Sequence, residues 1–592
     1  MKISDNKHYK RLIELLSHSK QIKKISWKQW ARLPKVLPSK ERWIARFFIF
    51  LIFASIIVLL FNFYLNKTYI EPKIGGSYTE GILGQPRFIN PILAQTNDAD
   101  RDLTQIIYSS LFKYDGQGNL ILDLVESYNI SEDGLLYEIK IRENVKWHND
   151  EQLTVDDIIY TIKTIQDPEY KSPLKNNWQG VEIEKIDDFK MSFKLNNVYS
   201  PFLHNLTVGI VPKHLWAGIS AQNFALGQYN IQPVGSGPYK FEKINKDKDG
   251  KIESIELIRN ENFYLQIEGS PNGPFIENVI FKFFDSQTEL IDAYKRRQID
   301  GLSFVSGINQ LNIVNHLNIY EINIPAYYAV FFNQTESKVL ADKTVRLALS
   351  YATDKKEIIS KILSDKGIQI DSPLLPDWFG YTPETNIYEF ALEHANNTLE
   401  AAEWKDLNND GIREKTIDGE EIELEINILT TNWPELQQTA ELLKEQWEKI
   451  GARINLEILD AVTVQQDYIK PRQYEALLFG EVLNADPDPF AFWHSSQRKD
   501  PGLNLSVYAN DKIDKLLEEG RQSIDQESRK EKYNEFQKLL TEDVPAVFLY
   551  SPTYLYPVNK KVRGIFIEKF SQPSHRFSQI ENWFIKTNRI WK

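Results

Sequence analysis

Cysteine is absent from all 592 residues. That excludes disulfides, a thiol nucleophile, cysteine-bound metal and the acylated cysteine that tethers a lipoprotein. Catalytic signatures are missing as well. The nine histidines include no HExxH or paired-ligand spacing, and there is no G-x-S-x-G or Walker run. His148 and His494, each beside a tryptophan, read as hydrogen-bonding structural residues. The 82 acidic residues scatter paired carboxylates everywhere, so composition alone leaves a hydrolase open while no constellation points to one. Low-complexity tracts and repeats of fixed period are also lacking, and 42% apolar with 26% charged residues is the balance of ordinary globular protein.

What is present begins with one apolar run. Residues 47–66 read FFIFLIFASIIVLLFNFYLN, without a charge, between Arg46 and Lys67. As a helix the run is about 30 Å long, the thickness of a bilayer's hydrocarbon core. Aromatic residues gather at both ends (Trp43, Phe47, Phe48; Phe61, Phe63, Tyr64), where interfacial belts form. Residues 1–46 hold 13 Lys and Arg against 3 Asp and Glu, a net of +10; the whole chain carries −12, which leaves −22 on residues 67–592. The positive-inside bias therefore predicts a cytoplasmic tail at 1–46, a single span at 47–66 and an extracytoplasmic body at the cell membrane. No small-x-small cleavage pattern follows the run, so it is expected to remain as an anchor. The acidic body argues against nucleic acid, because it offers no excess cation for phosphates. The tail suits an inner-leaflet contact.

Beyond the span, 68–74 reads as a brief extended linker. The body, at 526 residues (67–592), is too large for one core and should form two or three lobes. Residues 100–111 carry a helical stripe, 136–142 alternate as a strand, and Thr154 opens a helix with Asp157 at the capping-box position. Residues 327–333 form an apolar run suited to a buried strand. A strong helix covers 435–450, with Leu436, Ala440, Leu443 and Trp447 on one stripe; two more cover 511–520 and 528–540. Strands and helices mix without a strict βαβ rhythm, which indicates an α/β body.

An ordered set of segments carries a resemblance. It includes Gly75-Gly76, the run VKWHNDEQLTVDD at 145–157, GSGPY at 235–239, NENFY at 260–264, QIDG at 298–301, VRLALSYATD at 345–354, DPDP at 486–489 and PAVFLY at 545–550. Together, over 74–564, the chain resembles the family 5 solute-binding proteins of ABC importers, the dipeptide- and oligopeptide-binding type. The resemblance implies a two-lobed periplasmic-binding-protein fold of type II (cluster C) with an extra subdomain. Carried onto this chain, lobe I comprises 67–104, 207–322 and 546–592, its subdomain 105–206, and lobe II 323–545. It also implies capture of a peptide or similar small solute between lobes that close on a hinge, and delivery to an ABC permease and its ATPase, without covalent chemistry. A ligand-sensing surface receptor of the same fold is the alternative, and a hydrolase a weaker one.

In peptide-binding relatives an aspartate four residues after a strand-end glycine holds the peptide ammonium. The matching stretch here is GEVLNADPD at 480–488, which places Asn484 where that aspartate would stand, after Gly480, with Glu481 in place of an aromatic. A carboxamide accepts a hydrogen bond but supplies no ion pair. Either Glu481, Asp486 or Glu80 provides the charge, or the ligand lacks the amine, or Asn484 merely shapes its loop. Tyr239, Tyr327, Trp378, Trp493 and Tyr550 fall at family positions near the cleft. With 32 Phe, 28 Tyr and 13 Trp in the chain, any one aromatic is more often core than site.

No cofactor is expected apart from calcium, which two loops suggest. Residues 245–256 match a twelve-residue calcium loop, with Asn245, Asp247 and Asp249 at positions 1, 3 and 5, a glycine at 6 and Glu256 at 12. Their flanks read as strands and two lysines oppose a cation, so an Asp-Gly hairpin turn competes and is preferred. Residues 406–411 repeat the start of the pattern, but Ile417 stands where the closing glutamate belongs.

Overall fold

The computed structural model describes residues 38–265, 273–303 and 317–591. They divide into two compact units, the described part of one being 38–71 with 587–591 and the other 72–586. The first unit is built on the helix Ser39–Lys67. Within it Trp43–Lys67 is the one described helix long and apolar enough to cross a membrane, and none of it is buried against protein. The residues that follow form the strand Thr68–Lys73, paired with the strand Lys586–Trp591 in a two-stranded ribbon. The last carbonyls of a helix lack partners and carry its negative end. Here Thr68 Oγ1 donates to the Tyr64 carbonyl at 2.6 Å, and Arg589 donates to Thr68 Oγ1 at 2.7 Å. Trp591 stands edge-on to Tyr64, ring centres 5.7 Å apart. The linker is thus extended, as its sequence indicates, but it is one strand of a pair whose other strand is Lys586–Trp591.

The second unit has two lobes threaded by one strand. Ala546–Asn559 is 14 residues long. Its first part pairs with Ala326–Phe332 (Phe331↔Ala546, Tyr328↔Tyr550), and its last part with Leu317–Asn323 (Asn323↔Thr553, Leu317↔Asn559). Toward the second lobe the sheet continues through Ala476–Val482, Glu425–Thr431 and Arg453–Leu459; toward the first it continues through Gly301–Leu302, Ser77–Leu83, Asn278–Phe284, Ile252–Arg259 and Tyr239–Lys246. The chain therefore passes between lobes at 323–326 and at 551–553. Residues 546–550 pair on the second lobe's sheet, so the crossing falls a few residues after the boundary at 546. Two short adjacent connections of this kind can absorb the backbone rotation of a hinge.

The apolar run around 327–333 is buried on both faces, as strands covered by helices are. Val330 and Phe332 enter one hydrophobic cluster, with Leu349, Leu443 and Trp447; Tyr327, Ala329 and Phe331 enter another, with Trp493, Tyr533 and Phe548. The helix that covers the first of these clusters is Pro434–Glu448. On the first lobe, a four-stranded antiparallel sheet (Val125–Ile130, Leu136–Ile141, Lys190–Leu195, Val181–Lys185) packs with the helix Val155–Gln166. Thr154 N donates to Asp157 Oδ2 at 3.0 Å, which caps that helix. This subdomain shares one continuous core with the rest of lobe I.

Candidate functional site

The face of the subdomain meets the second lobe across a cleft. A cavity of about 660 Å³ is lined by Asn176, Asn177, Gln179, Asn196, Asn197 and Asn205 on one side and by Asn484, Arg521 and Gln522 on the other. A second cavity of about 200 Å³ shares Asn177, Tyr199, Asn205 and Asn484, and adds Tyr114, His204, Asp486, Gln572 and His575. The larger volume is in the range of small-molecule sites. Carboxamides dominate the lining. Each offers two donors and an acceptor without charge, which suits the N–H and C=O groups of a peptide backbone.

Direct contacts join the two sides. Ser200 N donates to the Arg521 carbonyl at 2.9 Å, and the Arg521 guanidinium lies 5.4 Å from the centre of the Tyr199 ring. His204 Nε2 is 3.6 Å from Asp486 Oδ2. The helices Asp511–Gln522 and Gln526–Asp543 supply Arg521 and Arg529 to this wall.

The acids of the DPDP turn are engaged within the second lobe. Asp486 is paired with the buried Arg529 at 2.6 Å, and that guanidinium is stacked over Phe379 and Tyr533 at 4.6 and 5.1 Å. Asp488 is paired with Arg521 at 2.8 Å. Burial pushes the Asp488 carboxyl up, against the pull of Arg521. Burial likewise lowers the His204 imidazole, opposed by Asp486. The cleft is therefore polar, with its described acidic groups already matched to cations.

Of the residues named from sequence, Asn484 and Asp486 line the cleft. Asn484 is exposed at the junction of the two cavities. Glu481, one candidate for the missing charge, is turned inward: it is 4% exposed and hydrogen-bonded to the Tyr327 hydroxyl. Burial drives its carboxyl well above the carboxylate range, against the pull of the Tyr327 hydrogen bond, and holds it inside the second lobe. Glu80 is also corrected. It is fully buried in the first lobe, paired with Arg576 at 2.9 Å and bonded to Tyr78 and Tyr556. Asp102 shares the same guanidinium.

The five aromatics are core residues rather than cleft walls. Tyr239 is inaccessible and donates to the Ile276 carbonyl at 3.1 Å. Tyr327 and Trp493 pack in one second-lobe cluster and Tyr550 in the other, its hydroxyl 3.3 Å from Thr439 Oγ1. Trp378 lies under Lys569 of the first lobe, whose Nζ is 6.0 Å from its ring centre and donates to the Asp377 carbonyl. It belongs to the lobe junction but lines neither cavity. Gly480 faces Tyr328 across the sheet, where a Cβ would lie 2.7 Å from the ring. Its role is to admit that ring.

Sequence reasoning missed Tyr199, His204, Arg521, Arg529 and the asparagines of the subdomain. The Asn-Asn doublets at 176–177 and 196–197 are visible in the sequence; the first lies in the short 3-10 helix Lys175–Trp178 and the second follows the strand Lys190–Leu195.

The loop 245–256 does not gather a ligand set. Tyr239–Lys246 and Ile252–Arg259 form an antiparallel hairpin. Asn245 spends its amide on Ser254 Oγ and Glu256 Oε1, Glu256 pairs with Lys243 at 3.1 Å, and Asp247 Oδ1 accepts from the backbone of Asp249 and Lys251. Asp249 is exposed at the turn. His148 is structural: its Nε2 faces the Gly237 carbonyl at 3.0 Å, and its Nδ1 accepts from Gly235 N at 3.2 Å.

Residues 119–502 match the model of the bacterial extracellular solute-binding proteins, family 5. Among curated relatives, the oligopeptide-binding protein AppA of Bacillus subtilis is 27% identical over 534 residues, covering 88% of this chain and 93% of that protein. The structure of that AppA in complex with a nonapeptide is similar with a TM-score of 0.67 at 26% identity, over 87% of this chain and all of the other. NikZ from Campylobacter jejuni, in complex with Ni(L-His), gives a TM-score of 0.69 at 27% identity, over 86% of this chain and 99% of that one.

Proposed function

The chain belongs to the bacterial extracellular solute-binding proteins of family 5, and from that premise we propose that it captures peptides through their backbone in the cleft around Asn484. The observation that carries this reading is the carboxamide-rich cavity between subdomain and second lobe. Peptide main chain needs a wall that both donates and accepts, and side-chain-independent binding follows from contacts of that kind. Two lobes joined by adjacent crossings can close over such a guest, because a ligand with more contacts in the closed form shifts the population toward it. The family's members bind solutes for ABC importers, and the closed form would be the one presented to a permease and its ATPase.

An ammonium clamp forms no part of this proposal. Asn484 is neutral, Glu481 is buried in its own lobe, and Asp486 is matched by Arg529. The helix Ser39–Lys67 would tether the protein, with the basic tail inside and the acidic body outside, in place of a lipid on cysteine.

Full-length protein in detergent, titrated calorimetrically with nonapeptides bearing free or acetylated N-termini, tests the reading. Comparable affinity for the two forms is expected. No binding of either form, with a non-peptide solute retained on native mass spectrometry, would overturn it. Ligand-stimulated ATP hydrolysis by a co-purified permease complex would support import over sensing.

A further inference from the structure

The second candidate loop lies between the helix Leu392–Ala401 and the strand Glu414–Ile417. Asp406, Asn408, Asp410 and Gly411 occupy positions 1, 3, 5 and 6 of an oxygen-rich loop. The acid that closes it comes three residues before Ile417: Glu414, at position 9. Backbone bonds in both directions between Lys405 and Glu414, at 3.0 and 2.8 Å, fix that residue beneath the loop. One carboxylate oxygen from each of Asp406, Asp410 and Glu414 lies within 4.8 Å of the others. Two oxygens on opposite sides of one calcium ion stand roughly 4.6–5.2 Å apart, given ligand distances of about 2.3–2.6 Å.

An independent observation concerns Glu414 itself. Its side chain is 1% exposed; Oε2 accepts from Leu407 N at 2.9 Å, and Oε1 is buried without a partner. A buried carboxylate oxygen without a donor or cation is costly. Two more carboxylates beside it add repulsion. Protein cations do little to relieve this. Arg453 comes only within 3.9 Å of Asp410 Oδ2 while its other nitrogen pairs with Glu423. Arg413 is turned to the Ile450 and Trp404 carbonyls and to Asn396.

The remaining oxygens accept backbone N–H groups that hold them in place. Asp406 takes those of Asp410 and Gly411, Asn408 that of Asp410, and Asp410 that of Ile412. Each retains a lone pair for a cation.

We propose that Asp406, Asn408, Asp410 and Glu414 bind a calcium ion that fastens the start of the strand Glu414–Ile417 to the loop 406–411. A hard, flexible oxygen set with three carboxylates suits calcium better than magnesium, which demands octahedral geometry and keeps its waters.

The test uses full-length protein in detergent, stripped with EGTA. Calcium is then followed by thermal melting, and Tb³⁺ by emission sensitised through Trp404, two residues before the loop. One displaceable Tb³⁺ per chain is expected, with a rise in melting temperature under calcium and none under magnesium. With a dissociation constant of about 10⁻⁴ M, 5 mM calcium would favour the folded form about fifty-fold. Asp406→Asn and Asp410→Asn, both at exposed positions, should keep the EGTA melting temperature or exceed it and bind at least tenfold more weakly. Asp249→Ala in the other loop should respond like the parent. A parent insensitive to calcium, an unimpaired Asp410→Asn, or an Asp249→Ala that loses the response would overturn the proposal. Glu414→Gln adds to these only if its EGTA melt is cooperative.

Discussion

Replacing Asn484 with aspartate puts a carboxylate at the exposed junction of the two cavities. The nearby cations are committed, Arg529 to Asp486 and Arg521 to Asp488, so the new charge is left for the guest. Against a peptide ammonium at about 4 Å, an effective dielectric near 20 gives about 4 kcal/mol of Coulomb attraction. Desolvation and the nearby acids reduce that to the net of a charge-assisted hydrogen bond, about 1.5–3 kcal/mol. Affinity for a free-amine nonapeptide should therefore rise about tenfold to a hundredfold, since each 1.4 kcal/mol is a factor of ten. Acetylation of the amine should abolish the gain, and added salt should shrink it. Calorimetric titration of Asn484→Asp and parent with both peptides decides it. An equal gain for the acetylated peptide would refute the reasoning. So would a parent that already prefers the free amine more than tenfold, since a clamp would then exist elsewhere.

Three other outcomes follow from the same geometry. Arg576→Met strands Glu80 and Asp102 without their cation, and loss of one partner from a buried ion pair costs about 3–5 kcal/mol. Burial already raises both carboxyls while Arg576 lowers them; without Arg576 they rise further, so the variant's folded form takes up protons more readily than its unfolded chain. Stability in urea should therefore improve as pH falls from 7.5 toward 5 in this variant, by more than in the parent, and a parallel pH profile would count against it. Arg521→Ala removes the ring contact to Tyr199, the one side-chain interaction of Arg521 that crosses to the subdomain among those described. A cation–π contact of this kind is worth about 0.5–1 kcal/mol, so nonapeptide binding should weaken about two- to fivefold; a loss of a hundredfold would place Arg521 on the ligand. Burial depresses His148 to about 4, so its contribution is present above the unfolded value near 6.5 and is lost as pH falls from there toward 4. His148→Asn should flatten the parent's melting-temperature profile across that window, and an unchanged slope would show that the acid sensitivity lies elsewhere.

The fold was legible where its cause is local. The stripe Leu436, Ala440, Leu443, Trp447 places a helix that the structure bounds at Pro434–Glu448. Alternation over 136–142 gives the strand Leu136–Ile141, and an apolar run without alternation gives a strand buried on both faces. The ribbon beyond the helix Ser39–Lys67 was not legible. Its extended half shows in the sequence, but its pairing joins residue 68 to residues near 590, and period-2 pattern says nothing about a partner so remote. Arg589 at the helix end is part of that pairing and becomes visible only with it.

The site divides along the same line, with a further reason for its errors. Glu80 and Glu481 look like free acids because the groups that hold them lie 496 and 154 positions away, at Arg576 and Tyr327. The aromatics were drawn toward the cleft by family position, yet a large apolar ring gains most from full burial. In this chain Tyr239, Tyr327, Trp493 and Tyr550 each end at 1% exposure or less. Carboxamides behave oppositely. An asparagine gains little from burial and is costly without partners, so a doublet such as 176–177 or 196–197 stays wherever water or a guest can reach it. The walls of the cleft are what those two tendencies leave behind. The five named rings, Glu80 and Glu481 are held inside the lobes by their own partners, and carboxamides face the space where the lobes meet, beside Tyr199 and the matched Asp486. A guest that binds there is selected for hydrogen bonds before charge, and Asn484→Asp probes that ordering directly.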